Sequence, residues 1–378
     1  MHRYLDCNAT YPQLKVSLEA MVEAANAAPG NPSSLHWAGR AARRIVDDAR
    51  DKLAAFIGAE AGGIVYTSGG TEANNIAIHS VLSTSKPGRI VTTAIEHPAI
   101  LKPLETFASA NPEWELIKLR PNGDGVVTAE SMAAAINEET RLVCLMYANN
   151  ESGAVQPVEA VAALCRKASI PMLVDAVQML GKKAVRFNDL GIDFMSLSAH
   201  KIGGPKGVGA LLVRRGVKLT ELAPGGGQER GRRSGTENVP GIAGFSAALG
   251  KVDFSTCEAV RNLFEAELGK RLPRAEVVSL QASRTPNTSL VILPGLDGET
   301  LLMQLDLAGF AVASGSACSS GKREPSHVLL AMGVSELKAR SSLRVSFGPD
   351  NSSDDALALV EALVSADKRL KGMAGITA

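Results

Sequence analysis

The chain has almost no excess charge of either sign: 40 Lys plus Arg face 39 Asp plus Glu over 378 residues, a formal net charge of +1. Without a broad electrostatic field it lacks the means to hold a polyanion or an anionic membrane. Aromatic residues make up only 4%, too few to build stacking platforms for single-stranded bases. The one basic cluster, Arg230, Arg232 and Arg233, is broken by Gly231 and preceded by Glu229. A nucleic-acid function is therefore not expected. Long apolar runs are missing too, and Arg3, Asp6, Lys15 and Glu19 interrupt the first twenty residues. No signal peptide or spanning helix is expected there, and the cytoplasm is the expected location. The five cysteines (Cys7, Cys144, Cys165, Cys257, Cys318) never form a Cys-x-x-Cys pair, which disfavours a disulfide framework and a structural zinc site. No metal is expected.

What is present is alternation. The stretch IVDDARDKLAAFIG sets Ile45, Val46, Ala49, Leu53 and Phe56 on one helical stripe, with Gly58 as its stop. Apolar strand patterns follow at 63–67, 89–93, 114–118, 141–146, 171–175, 193–198 and 208–213, most of them separated by helical patterns. Such alternation predicts an α/β fold, a mostly parallel sheet covered on both faces. Residues 214–236 are rich in Gly, Pro and Arg and read as a functional loop. Beyond about 252, a helix at 255–272, strands at 276–279, 287–293 and 341–347 and a helix at 353–370 indicate a smaller α+β domain. The expected division is 12–252 for the large domain, with 1–11 and 253–378 forming the small one.

Ligands of an open parallel sheet bind beyond the carboxyl ends of its strands. After the first strand, Ser68, Gly69, Gly70 and Thr71 enter a helix, where close backbone amides and the helix dipole favour phosphate. Read alone, an ordinary glycine turn capped by Thr71 is the favoured explanation. His97, Asn149 and Asp175 follow three further strands, with Gln178 close behind. A loop histidine and a helix cap are the bland readings of His97 and Asp175. Ser198, His200 and Lys201 come next in SLSAHKIGG. A lysine facing a carboxylate and a phosphate cradle suits a Schiff base with pyridoxal phosphate, whose ring needs an acid beside its nitrogen to act as an electron sink. Cys318 lies in ASGSACSSG, among small residues that a packed core thiol does not need, so a mobile, reactive thiol is expected. Arg344, a cation within a strand, suits a substrate carboxylate or a structural ion pair.

These residues resemble the cysteine desulfurases of the iron-sulfur assembly and nitrogen-fixation type, in the class V aminotransferase branch of fold-type I pyridoxal-phosphate enzymes. YLDCNAT, GNPSSLH, TSGGTEANNIAI, EHPAI, ANNESGAVQPV, VDAVQMLGK, SLSAHKIGGPKGVGAL, GGGQERGRRSGTENV and SGSACSSG followed by EPSHVL occur in family order. The resemblance implies that Lys201 carries pyridoxal 5'-phosphate and moves the substrate α-proton. It implies that Asp175 pairs with the pyridine nitrogen, Gln178 with the phenolic oxygen, and that His97, also catalytic, stacks on the ring. Gly70, Thr71, Ser198 and His200 would hold the phosphate, with Thr236 contributed by the second subunit of a homodimer. Asn149 and Arg344 would hold the carboxylate of L-cysteine. Cys318 would take its sulfur as a persulfide, releasing alanine, for transfer to an acceptor or scaffold protein of iron-sulfur assembly or another sulfur pathway. A selenocysteine lyase, or another pyridoxal-phosphate lyase or aminotransferase on the same fold, is the alternative. The sequence departs from the family at Cys7 (usually asparagine) and Tyr11 (commonly threonine), which questions the packing of the N-terminal arm, and also at Gln228 (often histidine).

Overall fold

The computed structural model describes residues 2–314 and 324–373. Seven strands form the central sheet: β1 (Ile64–Thr67), β2 (Arg89–Thr93), β3 (Glu115–Leu119), β4 (Thr140–Met146), β5 (Met172–Asp175), β6 (Phe194–Ser198) and β7 (Gly209–Val213). Their lateral order is β1-β7-β6-β5-β4-β2-β3. Strands β3, β2, β4, β5 and β6 pair in parallel. β7 is antiparallel to both β6 and β1. A short connection suffices for that reversal, whereas each parallel pair needs a crossover. Every residue of β6 and β7 is buried, as a sheet covered on both faces requires.

The helix Trp37–Ile57 buries Val46, Ala49, Leu53 and Ile57 and ends at Gly58, whose φ of 65° is the left-handed cap that glycine adopts without steric cost. Phe56, expected on the same stripe, is instead 40% exposed. The stripe is thus narrower than the apolar pattern implied.

A second core gathers Leu5, Phe264, Leu301, Leu343, Phe347 and Leu359. Its sheet orders Ala313–Ser314, Ser342–Ser346, Thr288–Ile292 and Glu276–Val277, all antiparallel. The N-terminal arm ties the two cores together. Arg3–Tyr4 pairs with Phe310–Ala311 beside the second core, while the amides of Tyr11 and Leu14 donate to the carbonyls of His200 and Gly203 next to the first. Tyr11 is buried, donates to Asp350 at 3.0 Å and sets its ring edge-on to Phe254, so the unusual tyrosine is well accommodated. Cys7 is buried beside it, and burial pushes its thiol up to about 12. It is inert packing at neutral pH.

Candidate active site

The carboxyl ends of β1, β2, β4, β5 and β6 and the N-terminal arm close around a cleft of about 310 Å³. That size suits a small organic ligand. Gly70, Thr71, His97 and Asp175 line it, as do Gln178, Ser198, His200, Lys201 and Arg344.

The cradle begins where β1 ends. Gly70 is the first residue of a 13-residue helix, Gly70–Leu82, so its free amides and dipole point at the cleft wall. Two glycines make this approach possible. A Cβ on Gly209 of β7 would lie 2.6 Å from the Gly69 Cα, and one on Gly70 would lie 2.6 Å from Val177 Cγ2. His97 caps the helix Pro98–Ala110, its Nδ1 accepting from the Ala99 amide at 3.1 Å, and burial lowers its pKa. It is both the cap of its bland reading and a wall of the cleft.

Asp175 closes β5. Its Oδ2 accepts from Asn74 Nδ2 at 2.9 Å and its Oδ1 from the Val177 amide at 3.0 Å. These neutral donors hold the carboxylate without neutralising it, leaving lone pairs for a cationic partner. Lys201 sits on the short turn Ala199–Ile202 after β6, and its Nζ donates to the carbonyls of Asn8 at 2.6 Å and Ala9 at 2.9 Å. Burial, reinforced by Arg344, pushes its amine down to about 8. Near pH 8 about half of it is therefore neutral and nucleophilic. His200 next door is pushed down to about 4 by burial and by Lys201, and its Nδ1 lies 3.1 Å from Thr10 Oγ1. It is neutral at physiological pH.

Arg344 enters from the second core. Its Nη2 donates to Asp6 at 2.7 Å and its Nη1 to the Asn150 carbonyl at 3.1 Å, while Nε is buried with no hydrogen-bond partner among the described residues. Asn149 does not join it. The Asn149 amide donates to the Ile95 carbonyl and accepts from the amides of Glu151 and Ser152, so its hydrogen bonds shape the turn. It is the neighbouring Asn150 that lines the cleft. Thr236 is exposed and outside this lining. Cys318 lies outside the described residues.

Asn8, Asn74 and Asn150 are the site residues to which sequence reasoning assigned no role. Asn74 had a signal, since it lies one helical turn beyond Gly70 in a helix whose first turn is the cradle. Asn8 lies in YLDCNAT, one of the motifs in family order, but no strand pattern leads to it, because the arm that carries it reaches the site through tertiary pairing.

A lysine with a lowered pKa, an acid held by neutral donors and an amide-lined cradle are the groups that a Schiff-base site for a phosphorylated aldehyde would need. The class V aminotransferase model matches residues 3–359. The chain belongs to that family, a family of pyridoxal-phosphate enzymes, and within it to the cysteine desulfurase group. It is 43% identical over 349 residues to a cysteine desulfurase of Cereibacter sphaeroides, covering 91% of this chain and 90% of the relative. It is 38% identical over 361 residues to the cysteine desulfurase IscS of Dictyoglomus turgidum, covering 93% and 91%. Among solved structures, a NifS-like protein superposes with a TM-score of 0.90 at 33% identity, covering 98% of this chain and all (100%) of the other. SspA in complex with cysteine gives 0.83 at 31% identity, covering 93% and 100%. No helix among the described residues is long and apolar enough to cross a membrane.

Proposed function

We propose that this cleft binds pyridoxal 5'-phosphate and converts L-cysteine to L-alanine, leaving the sulfur as a persulfide on Cys318. The observation that carries the reading is Lys201, its amine pushed down to about 8, in one cleft with Asp175. When bound there, the cofactor supplies an electron sink for the pair released at the substrate's α-carbon.

The residues of the chain supply the rest. Lys201 is the attachment point and, as a free amine, takes the α-proton. Asp175, steadied by Asn74, would pair with the pyridine nitrogen and favour its protonated form. The amides at Gly70 and Thr71, with Ser198 and the neutral His200, hold the phosphate, and Thr236 of a second copy completes that set in a homodimer. His97 covers one face of the ring. The Arg344 fork holds the substrate carboxylate, with Asn150 in the place expected for Asn149. The Cys318 thiolate attacks the substrate sulfur; an S–S bond forms, the C–S bond breaks with its electron pair on carbon, and protonation there, with a proton returned to the α-carbon, gives alanine. The persulfide then passes its outer sulfur to an acceptor protein.

Borohydride reduction of the cofactor-loaded protein, followed by peptide mapping, places the reduced adduct on Lys201. Incubation with L-cysteine yields alanine, and Cys318→Ala stops sulfide release while the visible cofactor band remains. A label on another residue, or desulfuration that survives in Cys318→Ala, contradicts the assignment.

A further inference from the structure

A second lysine lies behind the cleft. Lys182 is 6% exposed and follows Gln178 by one helical-turn spacing. Its Nζ donates to Asn8 Oδ1 at 2.6 Å and to Gln178 Oε1 at 2.8 Å, with the Phe254 ring centroid 5.7 Å away. It forms no ion pair among the described residues. Burying an amine without a carboxylate partner is costly. Burial pushes its pKa well below the ordinary range, and the charge of Lys201 acts in the same direction.

The geometry of its donors gives it a task. Even as a neutral amine Lys182 has two N–H donors, and both are spent on these two amide oxygens, so the oxygens face Nζ and the amide NH2 groups turn away. For Gln178 this aims Nε2 at the Asn8 carbonyl, 2.9 Å distant, the same oxygen that receives Lys201 Nζ at 2.6 Å. For Asn8, the Oδ1 shared by Lys182 and Asn287 Nδ2, at 3.1 Å from the latter, fixes the residue whose main chain holds Lys201. Were Gln178 to rotate, it would present a carbonyl oxygen where a donor is required.

We propose that Lys182 is a positioning residue: it locks the Gln178 amide with its N–H side toward the ring hydroxyl oxygen of pyridoxal phosphate without touching the cofactor. The inference rests on the cofactor reading above and extends it to a residue outside the cleft lining.

Equilibrium binding to the apoprotein tests it with two ligands, pyridoxal 5'-phosphate and its analogue without the ring hydroxyl. Lys182→Met weakens pyridoxal phosphate about tenfold, the worth of one aligned hydrogen bond, while the analogue changes by less than about twofold. The same substitution adds little to Gln178→Leu, because both remove one interaction. Lys182→Gln, which keeps an N–H donor, recovers most of the affinity and carries the test if the methionine variant does not fold. Equal loss for both ligands overturns the positioning role and leaves the cofactor reading intact. A wild-type apoprotein that binds neither ligand overturns both.

Discussion

Glu96 shows how far a single environment moves a side chain. Its Oε1 accepts from Thr93 Oγ1 and from the Met146 amide, each at 2.8 Å, and Oε2 has no hydrogen-bond partner among the described residues. Burial, with Asp175 adding to it, pushes this carboxyl up to about 8, so it is protonated at pH 7. Below the unfolded value of about 4.3 both states hold the proton and no penalty exists. As pH rises the unfolded chain releases its proton first, so native stability falls until the folded carboxyl ionises near 8 and then levels off. Urea unfolding of Glu96→Gln against wild type, measured from pH 5 to 8, is expected to show the variant gaining roughly 2–5 kcal/mol relative to wild type across that window. Parallel pH profiles would show that the acid is already ionised in the native state. Placement in the cleft was legible at this scale where chemistry follows from residue type, as at Lys201 and Asp175. It was not legible at Asn149 and Asn150, adjacent amides that only the backbone turn tells apart: one donates to the Ile95 carbonyl, the other faces the cleft.

At the scale of elements, strand periodicity read the central sheet closely, because strands buried on both faces are short apolar runs bounded by polar turns. The run expected at 193–198 is the strand Phe194–Ser198, and that at 208–213 is Gly209–Val213. The direction of the second was not legible. Composition does not record whether a strand runs parallel or antiparallel; the link from β6 to β7, residues 199–208, holds the short turn Ala199–Ile202 and no crossover helix. That antiparallel strand backs the loop proposed to cradle the phosphate, since Gly209 faces Gly69. Adding one methyl there meets backbone on both sides, the Gly69 Cα and the Leu197 carbonyl oxygen each 2.6 Å from the new Cβ, and neither neighbour can rotate aside. Gly209→Ala is expected to destabilise the fold by roughly 1–3 kcal/mol and to weaken pyridoxal phosphate binding about tenfold or more by displacing the cradle. Calorimetric melting and cofactor titration measure the two effects. An alanine variant with unchanged cofactor affinity would show that the loop does not hold the phosphate.

Across the whole molecule, the site belongs to neither core alone. Asp175 ends a strand of the first and Lys201 lies on the turn after another, Arg344 lies in a strand of the second, and the arm bearing Asp6 and Asn8 is bonded to both. Asn8 collects partners from across the sequence: its amide donates to the Asn150 carbonyl and Thr288 Oγ1, its main-chain N–H to Ser346 Oγ, and its carbonyl accepts from Gln178 and Lys201. Contacts separated by hundreds of residues leave no local pattern, which is why this junction escaped a reading based on periodicity and motif spacing. The ordered run of motifs nevertheless carried the family, because it reports the loops at the strand ends rather than their packing. The central claim is that Lys201 and the Cys318 thiol act on one substrate molecule, the lysine at its α-carbon and the thiol at its sulfur. Peptide mass measurement of the cofactor-loaded protein after brief exposure to L-cysteine tests it most directly. The account predicts one added sulfur atom on the peptide containing Cys318, removable by a reducing thiol and missing in Lys201→Ala. An unmodified Cys318 peptide while alanine accumulates, or the added sulfur found on Cys7, would contradict it.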